Sequence, residues 1–82
     1  MKAPLLDMKT LAELGPEGRG CIHSITGTDG IAQRLAELGF TSGQTVQVIR
    51  FAPLGDPMQI RIRGFHLALR RHEARRVCLT EH

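Results

Sequence analysis

The feature that most constrains the fold is a run at residues 58–63 in which Met, Ile and Ile alternate with Gln and Arg. Successive side chains of a strand point to opposite faces, so this alternation predicts a β-strand with one buried and one solvated face. Strands of this kind belong to antiparallel sheets. An apolar run at residues 46–49 predicts the neighbouring strand. The two strands would then form a hairpin that is closed by residues 52–57 (APLGDP).

The hairpin loop is rich in residues that restrict the backbone. Pro53 and Pro57 each hold φ at about −65° and lack a backbone donor, and Gly55 permits positive φ. Asp56 can close an Asx turn on its own backbone. Leu54 stands at the tip with no evident core to join. A stiff, exposed loop loses little entropy on docking, so we expect either a recognition loop with residues 54–57 in contact with a partner, or a plain hairpin connection.

The remaining segments predict short elements around one small core. Thr10 to Glu13 forms a capping box, and the helical turn that it begins ends at Gly15-Pro16. Further along the chain, the patterns predict a strand at 19–26 with room for a bulge, an amphipathic helix at 29–38 closed by Gly39, a strand at 44–51, a strand at 66–70, one helical turn at 71–75 and a strand at 77–79. Five strands with one helix between the first two predict a mainly β fold, a small and partly open barrel of the SH3-like type.

Composition excludes several classes of function. The 82 residues form a single domain, of which 1–9 are expected to be loosely ordered, and this is too small for a large active-site cavity. There is no Trp or Tyr and there are only three Phe, which argues against aromatic peptide grooves and base-stacking platforms. The sequence has neither a phosphate-binding Gly-rich loop nor a paired-carboxylate arrangement, so we expect no enzymatic activity.

The cysteines and the apolar runs predict a cytoplasmic protein. Cys21 and Cys78 lie far apart, and the start of the chain does not have the pattern of a signal peptide, so both thiols are expected to be reduced. No apolar run approaches the ~18–20 residues that a membrane-spanning helix requires. Any contact with a membrane is therefore expected to come through a partner.

Charge is concentrated in the second half of the chain. The whole chain carries a net charge of +3, whereas residues 50–76 contain seven arginines against Asp56 and Glu73. This imbalance predicts one basic face, which could steer an acidic protein partner, nucleic acid or anionic headgroups. A solvated sheet face that opposes aggregation is the alternative. The residues that we expect to contact a partner through this face are Arg61, Arg63, Arg70 and Arg71.

The histidines raise the question of a metal. His23, His66, His72 and Cys78 carry suitable donor atoms, but none of them follows the short ligand spacing of a structural zinc site. We therefore expect no obligatory cofactor. Adventitious binding of zinc or iron at surface histidines remains open because neutral imidazole binds such ions readily.

Four segments occur in an order and spacing that resemble the FeoA family, the small cytosolic component of bacterial ferrous iron uptake. They are residues 34–40 (RLAELGF), 42–43 (SG), 52–57 (APLGDP) and 67–74 (LALRRHEA). The resemblance spans roughly residues 10–80. It implies an SH3-like barrel and a partner, FeoB, which is a membrane protein with a cytosolic GTPase domain. A similar barrel also ends some iron-dependent repressors, so the fold alone does not determine the role.

Two functions follow from these observations. The favoured one is an adaptor that binds, and regulates, a FeoB-type ferrous iron transporter. The alternative is a basic SH3-like module that binds nucleic acid, alone or within an iron-responsive regulator. The scarcity of aromatic residues and the lack of a recognition helix rich in Arg, Asn or Gln argue against nucleic acid.

Overall fold

The computed structural model describes residues 9–80. A 3₁₀ turn at Leu11–Glu13 is followed by β1 (Arg19–Ile25), α1 (Gly30–Leu38), β2 (Thr45–Phe51), β3 (Met58–Ile62), β4 (Phe65–Leu69), α2 (Arg71–Ala74) and β5 (Val77–Leu79). The predicted elements are all present, with ends that differ by one or two residues. Most of the segment expected to be loosely ordered, residues 1–8, lies outside the described part; the carbonyl of Lys9 accepts a hydrogen bond of 2.8 Å from the backbone N–H of Leu79.

The five strands form one antiparallel sheet in the order β4-β3-β2-β1-β5. The sheet curves into the partly open barrel that the sequence predicted, and within residues 9–80 the outer edge of β4 has no neighbouring strand. At the opposite edge, Thr10 forms an isolated bridge with Cys78 of β5. The predicted bulge in β1 is confirmed, because the register with β5 shifts between Ile22 and Ser24.

The core lies between the inner face of the sheet and α1. Met58, Ile60 and Ile62 are buried while the residues between them are exposed, as their alternation predicted. Burying side chains of this size contributes on the order of 1.5–3 kcal/mol each. Their buried neighbours include Leu11, Ile22, Leu35, Phe40, Val46, Val48, Leu69 and Val77.

Local signals determine both ends of α1. The Asp29 side chain accepts a hydrogen bond of 3.2 Å from the backbone N–H of Ala32, as expected of an N-cap. At the other end, Gly39 has φ +109°, and the backbone N–H of Phe40 donates to the carbonyl of Leu35 at 3.1 Å. This is the predicted Schellman arrangement. It turns the chain so that Phe40 is buried beside Leu35.

Candidate partner-binding site

The hairpin loop between β2 and β3 is closed by its own backbone. The N–H of Ala52 donates to the carbonyl of Pro57 at 2.9 Å, and the N–H of Gly55 donates to the carbonyl of Ala52 at 2.7 Å. Gly55 has φ +90°, a conformation that glycine adopts without a steric penalty. Leu54 lies at the tip and is 97% exposed. The structure thus confirms that Leu54 has no place in the core.

Arg71 of α2 supports the base of this loop. Its backbone N–H donates to Asp56 Oδ1 at 2.9 Å, so Asp56 joins the loop to α2 instead of forming the Asx turn that we expected within the loop. Its guanidinium donates to the carbonyls of Ala12 and Gly55 at 3.3 and 3.4 Å, and lies 5.6 Å from the centre of the Phe51 ring. These contacts restrict the loop from below and leave its tip free.

We expect Arg71→Met to loosen the loop. The change removes two hydrogen bonds and a cation–π contact, each worth about 0.5–1.5 kcal/mol, and keeps much of the apolar stem. The free energy of unfolding should fall by about 1–2 kcal/mol in a urea titration, and the Gly55 amide should exchange faster with solvent. Arg75→Met, at an exposed position of the same segment, serves as the control. Equal exchange at Gly55 in both variants would show that Arg71 does not support the loop.

The four arginines expected on one basic face lie in two groups. Arg61 lies on the outer face of the sheet and Arg63 in the turn that follows β3, and both line a shallow depression together with Arg19 of β1. Arg70 and Arg71 lie near the loop, at the start of α2. Arg61 pairs with His66 of β4. Arg70 follows His66 by four residues, which is roughly 13 Å of extended backbone, so Arg61 and Arg70 lie at different ends of β4. The sequence indicated the basic character but missed Arg19, whose position depends on the pairing of β1 with β2.

Two other charged pairs hold the helices in place. Arg34 of α1 donates to Glu73 Oε2 at 2.5 Å, and Glu73 Oε1 accepts a hydrogen bond of 2.9 Å from the backbone N–H of Arg70. Glu73 is buried, which raises its pKa, but the Arg70 N–H and Arg34 outweigh burial and hold the pKa below its ordinary value of 4.5. Arg76 contacts Asp29 and keeps the pKa of that carboxyl below its ordinary 3.8.

The candidate metal ligands are not brought together. No group of three or more His, Cys, Asp or Glu side chains within residues 9–80 is arranged to hold a metal ion. His23 Nδ1 lies 2.9 Å from Ser24 Oγ, His66 and His72 are exposed, and Cys78 is buried. Surface capture of zinc or iron stays a prediction.

The helices of the described segment are short. None between residues 9 and 80 is long and apolar enough to cross a membrane.

Comparison with known proteins identifies the family. The family model for the FeoA domain matches residues 9–81. The chain belongs to the FeoA family. It is 34% identical over 67 residues to an Fe(2+) transport protein A/Fe(2+) transporter FeoB fusion protein of Porphyromonas gingivalis (strain ATCC BAA-308 / W83). The match covers 82% of the chain but only 8% of that much longer relative.

Solved structures confirm the fold. FeoA of Stenotrophomonas maltophilia, crystallised with zinc and described as an SH3 domain protein, superposes with a TM-score of 0.78 at 34% identity, covering 88% of this chain and 89% of its own. A manganese-dependent transcriptional repressor gives a TM-score of 0.81 over 96% of this chain and 37% of its own, but at 15% identity it supports the fold alone. The predicted SH3-like architecture and the predicted membership of the FeoA family are thus confirmed.

Proposed function

We propose that this FeoA domain is an adaptor that binds the cytosolic part of a FeoB-type ferrous iron transporter through its hairpin loop. The observation that carries the proposal is Leu54, a large apolar side chain that is 97% exposed on a loop braced by Arg71. An apolar side chain held in water on a restricted backbone loses little entropy when it enters a pocket. The adaptor acts at the cytoplasmic side and reaches the membrane only through its partner.

The fusion relative supports the choice of partner. In the Porphyromonas gingivalis protein, transport protein A and FeoB are parts of one polypeptide. Fusion raises the local concentration of two modules, which favours an interaction that is weak between separate chains. Between unlinked domains the same interaction depends more on an anchoring side chain, and the exposed Leu54 is suited to that role.

Replacing Leu54 with alanine is expected to weaken binding to the transporter's cytosolic domain by about 1–3 kcal/mol, the range of a moderate hot spot. Calorimetric titration of the purified domains measures this change. Because Leu54 is outside the core, the melting temperature should stay within a few degrees of wild type.

Phe65→Ala is the matched control. Within residues 9–80, Phe65 is the other large apolar side chain that is exposed, at 43%, and it lies on β4 away from the loop. This variant should bind like wild type. Loss of affinity in Phe65→Ala with none in Leu54→Ala would place the contact at the edge of the sheet and overturn the proposal. A drop in stability of Leu54→Ala with unchanged affinity would also overturn it.

A further inference from the structure

One row of outward-facing residues crosses four strands of the sheet. Arg19 of β1 pairs with Gln47 of β2, Gln47 pairs with Arg61 of β3, and Arg61 pairs with His66 of β4. Residues paired directly across strands share a face. Neighbouring strands are about 4.8 Å apart, so the backbones at Arg19 and Arg61 are separated by about 10 Å with the Gln47 amide between them.

The row borders a depression in the surface. Arg19, Arg61 and Arg63 line it together with Thr45 and Gln47. None of the residues lining it is acidic. The two ion pairs formed within residues 9–80 use other arginines, so the three cations around the depression have no carboxylate partner in that part of the chain. Like charges gathered without a counter-charge repel one another, and an anion placed between them relieves that repulsion.

The backbone of Arg63 is a second observation at the same place. Arg63 and Gly64 connect β3 to β4 in a two-residue turn, and both have positive φ, +52° and +85°. Such type I′ turns favour Asn or Asp at the first position, because any Cβ is strained at positive φ and only these short polar side chains offset the strain by hydrogen-bonding the local backbone. The chain nevertheless has arginine, and this arginine borders the depression. A residue that is locally unfavourable where it stands suggests a use for its side chain.

We infer that this depression binds an oxyanion, specifically the phosphate group of a small ligand, with Arg19, Arg61 and Arg63 as its charged donors. Guanidinium groups present paired N–H donors that match a tetrahedral oxyanion, and the Gln47 amide and the Thr45 hydroxyl can complete its hydrogen bonds. The row contains no Phe, Trp or Tyr, and the exposed Phe65 pairs with the buried Ile62 and so belongs to the other face of the sheet. This arrangement argues for recognition of the phosphate alone and against stacking of a base. This site is separate from the loop proposed above to contact the transporter.

In the first test, each probe is titrated into the whole chain at a constant ionic strength set with sodium chloride. Binding is monitored by the NMR chemical shifts of the backbone amides and of the arginine Nε–H groups. The probes are inorganic phosphate, pyrophosphate and adenosine diphosphate. Saturable shifts at Arg19, Gln47 and Arg61 with phosphate or pyrophosphate support the inference. Equal affinity for pyrophosphate and the nucleotide would indicate recognition of the phosphate alone, and tighter binding of the nucleotide would identify nucleotides as the source. Saturation by polyglutamate but by no phosphate probe would overturn it in favour of an acidic protein partner.

Variants make the test specific. Arg19→Gln and Arg61→Gln should each weaken binding of pyrophosphate by about tenfold, because each removes a charge-assisted contact. Arg75→Gln, at an exposed arginine that does not line the depression, should leave the affinity within about twofold, since an exposed charge outside the site is screened by salt. Equal losses of affinity in all three variants would mean that binding depends only on the net charge of the protein, and would overturn the proposed site. Leu54→Ala should bind pyrophosphate like wild type whether or not the transporter proposal holds.

Arg63→Asn is expected to weaken binding of pyrophosphate without lowering the stability of the fold. Asparagine suits the turn, so the melting temperature should stay at or above that of wild type. Its affinity for pyrophosphate should nevertheless fall about tenfold, since a charged donor is lost. Unchanged affinity would remove Arg63 from the site and leave packing over Gly39 as the role of its side chain.

Discussion

The variant Glu73→Ala is expected to lose about 2–4 kcal/mol of stability, measured as the free energy of unfolding in urea. Glu73 is 5% exposed and accepts hydrogen bonds from the Arg70 N–H and from Arg34. Removing the carboxylate eliminates two charge-assisted bonds, each worth about 1.5–3 kcal/mol, and leaves the Arg70 N–H without its acceptor. Arg34 is itself 54% exposed, and solvent screening therefore keeps its share small.

Glu37→Ala is the matched control because Glu37 is an exposed glutamate on α1. It should change stability by no more than about 0.5 kcal/mol. A loss in Glu73→Ala as small as that in the control would contradict the bridging role of Glu73 between α1 and α2.

Acid should act through the same carboxylates. The folded pKa values of Glu73 and Asp29 lie below their ordinary values of 4.5 and 3.8. Their stabilisation is therefore complete above the ordinary values and is lost as the pH falls through the lower, folded ones. Stability should decline below about pH 4.5, and Glu73→Gln, which has no carboxyl to titrate, should show a shallower decline in the same pH series.

Gly39→Val is expected to cost about 2–3 kcal/mol. Gly39 has φ +109°, where a β-branched residue is strained by about 1–2 kcal/mol or more. A Cβ at this position would also lie 2.7 Å from Cδ of Arg63, so that side chain would have to move. Thermal unfolding should show a melting temperature lower by about 10 °C or more, given about 4–8 °C per kcal/mol for a domain of this size.

Gly43→Val separates strain from steric contact. Gly43 has φ +92°, but a Cβ there would meet nothing within 4 Å, so only the backbone penalty of about 1–2 kcal/mol applies. In an Arg63→Ala background, the cost of Gly39→Val should fall to that of Gly43→Val. A melting temperature equal to wild type for Gly39→Val would mean that α1 does not depend on this left-handed residue.

Much of the fold was predictable because its signals are local. The alternation at β3 places Met58, Ile60 and Ile62 on one face whatever the rest of the chain does, since successive residues of a strand point to opposite sides. The Schellman turn likewise needs only a glycine after the last helical residue and an apolar residue after it. The ends of the strands were harder to predict, because the last residue of a strand is set by its hydrogen bonds to the neighbouring strand.

The candidate site was predicted only in part. The rigidity of the loop and the exposure of Leu54 follow from two prolines and from an apolar residue with no periodic partner. The support from Arg71 was missed, and so was Arg19. These contacts join residues 15 or more positions apart, and nothing in their local sequence indicates which element they will meet.

The sequence by itself determined the antiparallel strands, the single amphipathic helix, the stiff loop and the family, because period, caps, turn residues and motif spacing act over a few residues each. The tertiary structure alone decided which charged side chains lie next to one another. It assigned Glu73 to Arg34 and Asp29 to Arg76, placed Arg71 beneath the loop, and left Arg19, Arg61 and Arg63 around one depression. At the depression the physical reason is strand register: the pairing of β1, β2 and β3 sets Arg19 and Arg61 on one face, and a shift of one residue would turn a strand's side chains to the other face. The ion pairs and the Arg71 contacts depend instead on how the helices and loops pack together, which no local pattern specifies.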